Sequence, residues 1–298
     1  MTTSPDPTSS DSSAPSLWRE RRVIAYAHQG GAWEGPSSTL HTIAAALEIG
    51  ATGIELDVHA TADGRLVVCH DDTVDRTSAA SGTIASLTYA ELSRLDNAYW
   101  WAPGADVTPG LADDGYPLRG RAPEDHRFGF ALLEEVLEEF PQVVLNLDIK
   151  QTAPTVAPYE EALADLLRRF DCSDRVIVAS FLDTATDAFS GFAPEFHTSA
   201  GTLATAEFYR SVQAGEEPAP MRHVALQVPV SFGDITLVDE RFVEVAHARG
   251  LAVHVWTIEE ESEMEALCQL GVDGIITDRP SALVGVLESL GCTWSPGS

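Results

Sequence analysis

Nine short segments of the chain are rich in β-branched and other apolar residues, a pattern typical of buried β-strands. They lie at 23–28, 53–58, 65–70, 143–149, 175–181, 195–200, 223–228, 251–257 and 273–278. Between most of them, apolar residues recur every three or four positions, which predicts helices over 37–49, 131–140, 163–170, 237–249 and 259–270. Ser37 or Ser38 is the predicted N-cap of the first helix. Strands that alternate with helices in this way predict a parallel sheet.

The connection between the second and third strands decides how many strands the sheet has. Only HATADG, at 59–64, separates these two strands, whereas a parallel crossover needs about a dozen residues. The two are therefore predicted to form an antiparallel hairpin that turns at Asp63-Gly64. The eight strands that remain predict an α/β fold, a (β/α)8 barrel with a hairpin arm. A doubly wound open sheet is the competing fold, but HQGGAWEG at 28–35 is a poor match to its glycine-rich phosphate turn.

Composition divides the chain into a tail, a barrel domain and an insertion. The segment 1–17 is rich in Ser, Thr, Pro and Asp and is predicted to be a disordered tail rather than a signal peptide. Residues 18–298 are predicted to form one barrel domain, in which 71–128, rich in Gly, Pro and Asp, is a small insertion after strand two over the barrel mouth. No apolar stretch approaches the roughly 20 residues of a membrane span. The cytoplasm is the expected location.

The charge of the chain restricts its partners. The formal net charge is −28, which argues against nucleic acid and anionic membranes as main partners because both attract basic surfaces. Of the 18 basic residues, 17 are Arg, and Lys150 is the single Lys. The four Cys residues show no paired spacing, so neither a disulfide framework nor a zinc motif is indicated.

Polar residues with chemical potential lie near the ends of the predicted strands. In a (β/α)8 barrel these carboxyl ends meet at one face, where active sites are found. The segment VVLNLDIK, at 143–150, alternates so that Asn146, Asp148 and Lys150 share one face of a strand. The residues expected to converge are His28, Glu55, Asp57, His70, Asp148, Lys150, Trp256 and Asp278.

Three carboxylates in this set predict a metal site. Glu55 and Asp57 alternate with apolar neighbours on a central strand, and buried carboxylates persist only with a cation or with hydrogen bonds. Together with Asp148 they supply the hard oxygen ligands that suit Mg²⁺ or Ca²⁺ rather than zinc. Either His taken alone is more often structural than catalytic, and acid-x-acid pairs are common in so acidic a chain.

Taken together and in order, these motifs resemble those of the glycerophosphodiester phosphodiesterase family. The match runs from about residue 23 to 285, with HQG and PSST in place of the family's HRG and PENT, a variant of actinobacterial appearance. The matching motifs are His28-Gln29-Gly30, Pro36-Ser37-Ser38-Thr39, Glu55-Leu56-Asp57, His70-Asp71, Asp148-Ile149-Lys150, Val255-Trp256-Thr257 and Gly274-Ile275-Ile276-Thr277-Asp278-Arg279-Pro280.

The resemblance implies a catalytic barrel that hydrolyses small-molecule glycerophosphodiesters to glycerol phosphate and an alcohol. By this resemblance His28 and His70 are the acid–base pair, and one Mg²⁺ or Ca²⁺ binds to Glu55, Asp57 and Asp148. Substrate contacts are assigned to Gln29, Lys150 and Trp256. The resemblance implies no oligomeric state.

Three departures from the family pattern leave alternatives open. Gln29 replaces an Arg, Ser37 replaces a Glu, and Asp148 replaces a Glu that is longer by one methylene. One alternative is a phospholipase-D-like lyase on the same barrel that yields a cyclic phosphate. Another is a catalytically silent barrel that binds a phosphodiester. The aromatic stretch NAYWW, at 97–101, is either a lid that grips the alcohol or internal packing of the insertion.

Overall fold

The structure is a computed structural model that describes residues 17–20 and 23–292. The predicted tail at 1–17 lies, except for residue 17, outside the described residues. The strands are β1 (Ile24–His28), β2 (Gly53–Ala60), β3 (Leu66–Val68), β4 (Trp101–Ala102), β5 (Ala105–Val107), β6 (Val144–Ile149), β7 (Val176–Ala179), β8 (His197–Ala200), β9 (Ala225–Pro229), β10 (Ser231–Phe232), β11 (Ile235–Thr236), β12 (Ala252–Trp256) and β13 (Gly274–Thr277).

The α-helices are α1 (Leu17–Glu20), α2 (Leu40–Glu48), α3 (Tyr89–Leu92), α4 (Leu133–Glu139), α5 (Glu160–Arg169), α6 (Asp183–Phe192), α7 (Thr202–Ala214), α8 (Glu240–Ala248), α9 (Glu261–Leu270) and α10 (Pro280–Ser289). Three single 3₁₀ turns lie at Ile84–Ser86, Asp113–Gly115 and His126–Phe128. The longest helix among the described residues, α7, has 13 residues, and no helix in this part of the chain is long and apolar enough to cross a bilayer.

Eight parallel strands close into a barrel, which confirms the predicted (β/α)8 architecture. The strands follow the order β1, β13, β12, β9, β8, β7, β6, β2, and β2 pairs again with β1. The register of these pairings places functional positions side by side. Asp57 of β2 lies opposite Asp148 of β6, and His28 of β1 lies opposite Glu55 of β2.

The predicted hairpin arm is also confirmed. β2 continues beyond its parallel partners and pairs antiparallel with β3, with Val58 opposite Val68 and Ala60 opposite Leu66. The turn passes through Gly64, whose φ of +75° is a conformation that glycine adopts readily. The arm ends at Cys69 and His70, so it returns the chain to the carboxyl end of β2, where the Cys69 amide donates to the Asp57 carbonyl at 3.0 Å.

Apolar side chains fill both the barrel and the layer between strands and helices. Outside the barrel, one cluster joins α2, α4, α5 and α6 to β2, β6 and β7, and a second joins α7, α8, α9 and α10 to β9, β12 and β13. A third cluster, inside the barrel, includes Tyr26, Ile177 and Ile276 and is covered by Trp18 of α1. The Trp18 indole donates to His197 Nδ1 at 2.9 Å. The core therefore occupies the amino-terminal end of the barrel and leaves the carboxyl end for a site.

The start of α2 corrects one sequence prediction. Neither Ser37 nor Ser38 caps this helix: Thr39 does, and its hydroxyl accepts a hydrogen bond from the Thr42 amide at 3.2 Å. The Ser37 hydroxyl instead donates to the side chain of Gln29. The N-cap was misplaced because adjacent Ser and Thr residues are equally good caps in sequence.

The segment 71–128 packs against the loop that follows β1. The Trp101 indole donates to the Ala32 carbonyl at 3.0 Å, and the Asn97 amide donates to the Ser37 carbonyl at 3.0 Å. Within the segment, the Arg119 guanidinium lies 3.7 Å from the Tyr116 ring centroid and 4.8 Å from that of Trp100. The aromatic stretch at 97–101 is thus packed within the insertion. The assignment of 18–298 to a single catalytic domain stays a prediction.

Candidate active site

A cavity of about 590 Å³ opens at the carboxyl ends of the barrel strands. Seven of the eight residues assigned from sequence line it: His28, Glu55, Asp57, His70, Asp148, Lys150 and Trp256. The eighth, Gln29, lies behind His28 and is not among the lining residues. The aromatic residues at 97–101 do not line the cavity either, which favours internal packing over a lid for that stretch.

Strand alternation explains how β2 presents two carboxylates to the cavity. Ile54, Leu56 and Val58 are fully buried in the layer between strands and helices, so Glu55 and Asp57 point to the opposite side, into the barrel. β6 follows the same rule, with Leu147 and Ile149 outward and Asp148 inward. The predicted convergence of these carboxylates is therefore a consequence of register and strand period.

Lys150 lies against two of the three carboxylates. Its Nζ is 2.9 Å from Asp57 Oδ1 and 3.4 Å from Asp148 Oδ2. Burial lowers the pKa of Lys150, but the charges of Asp57 and Asp148 outweigh burial, and the pKa is raised above its usual value. The ammonium group is thus held in its charged form. Lys150, the one Lys among the 18 Lys and Arg residues of the sequence, therefore lies where it balances the charge of a buried acidic cluster.

The carboxylates nevertheless carry more negative charge than Lys150 can offset. Burial and the charge of Asp57 raise the pKa of Glu55, and burial raises that of Asp148 although Lys150 opposes it. Asp57 Oδ2 and Asp148 Oδ1 are buried and accept no hydrogen bond from any described residue. Buried carboxylate oxygens without a partner are costly, so this cluster is built to receive a further positive charge.

His28 is fixed by a carboxylate from the opposite end of the chain. Its Nδ1 lies 2.7 Å from Asp278 Oδ1, and its Nε2 lies 3.8 Å from Glu55 Oε2. Burial alone would lower the pKa of His28, but the bond to Asp278 and the charges of Glu55 and Asp57 raise it to about 9. The bond to Asp278 leaves Nε2 as the nitrogen that faces the acidic cluster.

His70 is held in a similar way by its own neighbour. Its Nδ1 lies 2.7 Å from Asp71 Oδ1, and Arg76 Nε donates to Asp71 Oδ2 at 2.8 Å. Burial would raise the pKa of Asp71, but the bonds from His70 and Arg76 lower it to about 2, so this carboxylate stays ionised. The His28 and His70 ring centroids are 5.9 Å apart with the planes at 86°. Two oriented imidazoles therefore face one small volume.

Gln29 and Ser37, the two departures from the family pattern, contact each other. The Ser37 hydroxyl donates to Gln29 Oε1 at 2.5 Å, and Gln29 Nε2 lies 3.1 Å from His28 Nε2. Both side chains are buried. Gln29 thus lies beside the nitrogen of His28 that is not bound to Asp278, rather than in the cavity.

Sequence reasoning missed several residues of the site. Asp71 and Asp278 were noted within motifs, but their contacts to the two imidazoles were not expected. Other lining residues were not expected at all, above all Phe181, Tyr209, Gln227, Phe232, Ile235 and Leu237. For the hairpin residues a sequence signal was available: Gly233-Asp234 lies between the apolar residues Phe232 and Ile235, and two-residue hairpins turn at such dipeptides.

Comparisons with a family model and with known proteins point to the same family. The family model for the glycerophosphoryl diester phosphodiesterase family matches residues 28–282. A glycerophosphodiester phosphodiesterase of Caldanaerobacter subterraneus subsp. tengcongensis is 30% identical over 279 residues, which is 91% of this chain and 100% of that protein.

Solved structures show the same fold. The glycerophosphoryl diester phosphodiesterase domain of a Mycobacterium tuberculosis protein has a TM-score of 0.74 at 20% identity, over 89% of this chain and 98% of the solved chain. A phosphodiesterase of Oleispira antarctica, solved with the product sn-glycerol-3-phosphate, has a TM-score of 0.67 at 24% identity, over 88% and 96% of the two chains. Barrel, site and sequence match agree, and this chain belongs to the glycerophosphoryl diester phosphodiesterase family, a family of phosphoric diester hydrolases.

Proposed function

We propose that this protein hydrolyses glycerophosphodiesters to glycerol phosphate and an alcohol, with the help of one divalent cation, Mg²⁺ or Ca²⁺. The observation that carries the proposal is the meeting of two carboxylate-bound histidines, three buried carboxylates and one lysine around a single cavity. This set can bind a phosphodiester and can both accept and donate a proton at its oxygens.

The acidic cluster suits a hard divalent cation by its chemistry. The family generally uses a divalent metal. Among the described residues, no group of three or more His, Cys, Asp or Glu side chains is arranged to hold a metal ion as it stands, and Lys150 lies against Asp57 and Asp148. Two unpartnered buried carboxylate oxygens, on Asp57 and Asp148, fit oxygen-ligand chemistry, with Glu55 as the third donor. When bound there, the cation supplies Lewis-acid stabilisation of a phosphate oxygen.

The two histidines supply the proton transfers. Each has Nδ1 fixed by a carboxylate, so proton transfer falls to Nε2, which in His28 also lies 3.1 Å from Gln29 Nε2. One imidazole accepts the proton of the nucleophile, and the other donates a proton to the oxygen of the leaving alcohol. Asp278 and Asp71 act as positioning residues that set the tautomer and stabilise the charged ring.

Lys150, Trp256 and Gln29 complete the arrangement. Lys150 balances negative charge on the phosphoryl group as a compact point charge. Trp256, in the cavity wall, provides an apolar face for the carbon skeleton of the substrate. Gln29 can keep a hydrogen bond to His28 whether this imidazole is neutral or charged. Rotation of the Gln29 amide by 180° exchanges its donor and acceptor atoms, and the Ser37 hydroxyl can donate to it or accept from it. We therefore assign Gln29 to the positioning of His28.

A panel of glycerophosphodiesters assayed with added Mg²⁺ or Ca²⁺ tests the function. We expect turnover to depend on the cation, to disappear after dialysis against chelator and to return when the cation is restored. Full activity in excess chelator would contradict the metal assignment. A stable cyclic phosphate as the end product would identify the lyase, and binding without turnover would identify a silent barrel.

The contact between Gln29 and Ser37 leads to a prediction about stability. Gln29→Arg alone places an unpaired charge in a buried site and is expected to lower the unfolding free energy by a few kcal/mol at most. Ser37→Glu alone adds a carboxylate beside an acidic cluster and is also expected to lower the unfolding free energy. The double variant should be better tolerated than either, with a coupling of roughly 0.5–3 kcal/mol. Denaturant unfolding of the four proteins measures the coupling, and strict additivity would contradict it.

A further inference from the structure

The loop that follows β1, residues 29–38, holds Gln29 beside His28 in an unusual backbone conformation. Gln29 and Ser38 have φ angles of +52° and +57°, and in the part of the chain that the structure describes Asp171 is the only other non-glycine residue with a positive φ. The Ser38 amide donates to the Gln29 carbonyl at 2.8 Å. Such conformations persist where surrounding contacts fix them, and they cluster at active sites. The contacts that fix this loop therefore bear on His28.

The insertion fixes the far end of this loop through Asn97. This side chain is buried, and its amide nitrogen donates to the Ser37 carbonyl at 3.0 Å. The Ser37 hydroxyl in turn donates to Gln29 Oε1, which leaves Gln29 Nε2 for His28 Nε2. Thr77 orients the amide of Asn97, because its hydroxyl donates to Asn97 Oδ1 at 2.5 Å. Consecutive contacts thus lead from the insertion to the ring nitrogen of His28 that takes part in proton transfer.

Other contacts already attach the insertion to the same loop. The Trp101 indole donates to the Ala32 carbonyl at 3.0 Å, and the Gly104 amide donates to the carbonyl of the following residue at 3.2 Å. Neither Asn97 nor Ser37 lines the cavity, so neither is placed to touch the substrate. What Asn97 adds to these attachments is a fixed position for Ser37, next to the side chain that contacts the catalytic imidazole.

We propose that Asn97 is a positioning residue for proton transfer by His28 and acts through Ser37 and Gln29. The inference rests on the proposed function, in which His28 transfers a proton at the phosphodiester. Asn97 holds the Ser37 backbone, and the Ser37 hydroxyl then presents the Gln29 amide to Nε2 in one orientation. Asp278 holds Nδ1 on the other side of the ring. A ring held at both nitrogens keeps its alignment, and a small displacement of a catalytic group can cost a large factor in rate.

Kinetics of Asn97→Ala and Thr77→Val test the proposal. Asn97→Ala removes the donor to Ser37, whereas Thr77→Val keeps the shape of the side chain and removes only the hydroxyl that orients the Asn97 amide. We expect kcat to fall roughly tenfold in Asn97→Ala and roughly threefold in Thr77→Val, with little change in KM, because neither residue touches the substrate. Wild-type kcat in both variants, with diesters still hydrolysed, overturns the inference and leaves the proposed function intact.

A His28→Ala background separates positioning of His28 from general loosening of the site. If Asn97 acts only through His28, Asn97→Ala should lower kcat no further once the imidazole is absent. With His28 present, replacing an alkyl diester by a nitrophenyl diester should change the loss in Asn97→Ala in the same direction as the loss in His28→Ala. A tenfold loss that persists in the His28→Ala background assigns Asn97 to general support of the site and overturns the inference.

Tyr116→Phe is the matched control within the insertion. The buried Tyr116 hydroxyl accepts from the Leu111 amide at 2.9 Å and donates to the Thr108 carbonyl at 2.6 Å, and Tyr116 does not line the cavity. Its loss should lower the Tm of the protein, as loss of the Asn97 amide does, but should keep wild-type kcat. An equal fall in kcat in Tyr116→Phe and Asn97→Ala would mean that activity follows the stability of the insertion, and it overturns the inference.

A spectroscopic measurement separates failure of this inference from failure of the proposed function. NMR of the histidine ring nitrogens needs no turnover, and the spectrum of His28→Ala assigns the His28 signals. In Asn97→Ala the His28 signals should shift, while those of His197, which accepts from Trp18 at the other end of the barrel, should stay in place. Shifted His28 signals support the inference even if no diester is hydrolysed. Unchanged His28 signals overturn it.

Discussion

His28→Ala and His70→Ala are each expected to lower kcat by at least about 10²-fold on a glycerophosphodiester. Both imidazoles face the same cavity, and each is fixed through Nδ1 by a carboxylate. Removal of either ring removes one of the two proton transfers that the cleavage of a phosphodiester needs. Steady-state kinetics with saturating Mg²⁺ or Ca²⁺ measures the loss.

The double variant and an activated substrate make this prediction sharper. Loss of both histidines should cost far less than the product of the two single losses, because the residues act as one unit. A nitrophenyl diester, whose leaving group needs no proton, should restore turnover only in the variant that lacks the general acid. That result would assign the two roles, which the sequence leaves open.

A surface histidine provides the control. His126 is exposed on the insertion and lies 3.4 Å from Glu135, away from the cavity. His126→Ala should therefore keep wild-type kinetics. If His28→Ala or His70→Ala kept near-wild-type turnover as His126→Ala does, the histidine concerned would be structural.

The barrel could be predicted because its signals are local and repeated. Each central strand is a run of apolar residues between two helical patterns, and the shortness of 59–64 alone forces the antiparallel arm. The carboxylates could be placed in the cavity for the same reason, since a period of two fixes the side of the strand on which Asp57 and Asp148 lie. The elements that the structure confirms are those whose sequence signal lies entirely within one short segment.

What could not be predicted depends on contacts between distant segments. Asp278 reaches His28 across 250 residues of sequence, and only closure of the barrel through β1 and β13 brings them together. The β10–β11 hairpin consists of two-residue strands, too short for any periodicity to appear. The apolar wall of the cavity combines residues from three connections between strands, with Phe181, Tyr209 and Phe232 as examples. Its members look in sequence like ordinary loop residues.

Asp57→Asn is expected to abolish the response to the divalent cation, with a loss of activity on the order of 10³-fold, because metal assistance contributes several kcal/mol to phosphoryl transfer. Asp57 lies at the centre of the acidic cluster: it accepts from Lys150, faces Asp148 across the sheet and raises the pKa of Glu55 by its charge. The amide keeps the shape of the side chain but removes one negative charge and one anionic ligand.

The same substitution should leave the cation-free protein folded. Lys150 retains Asp148 at 3.4 Å as a partner, and loss of the Asp57 charge relieves the repulsion that Glu55 experiences. Thermal unfolding without added cation should therefore give a Tm close to that of the wild type. Added Mg²⁺ or Ca²⁺ should raise the Tm of the wild type by a few degrees, through preferential binding to the folded state, and leave that of Asp57→Asn unchanged.

Asp273→Asn is the matched control for a buried aspartate with a structural contact. Asp273 Oδ2 accepts from the Val253 amide at 2.9 Å and lies 2.7 Å from His247 Nε2, and Asp273 does not line the cavity. Its replacement should lower the Tm without cation, because buried charge-assisted hydrogen bonds are weakened, but should preserve the rise on addition of cation. The opposite pattern, a cation response kept in Asp57→Asn and lost in Asp273→Asn, would place the metal outside the carboxylate cluster. The unpartnered oxygens of Asp57 and Asp148 would then need another explanation.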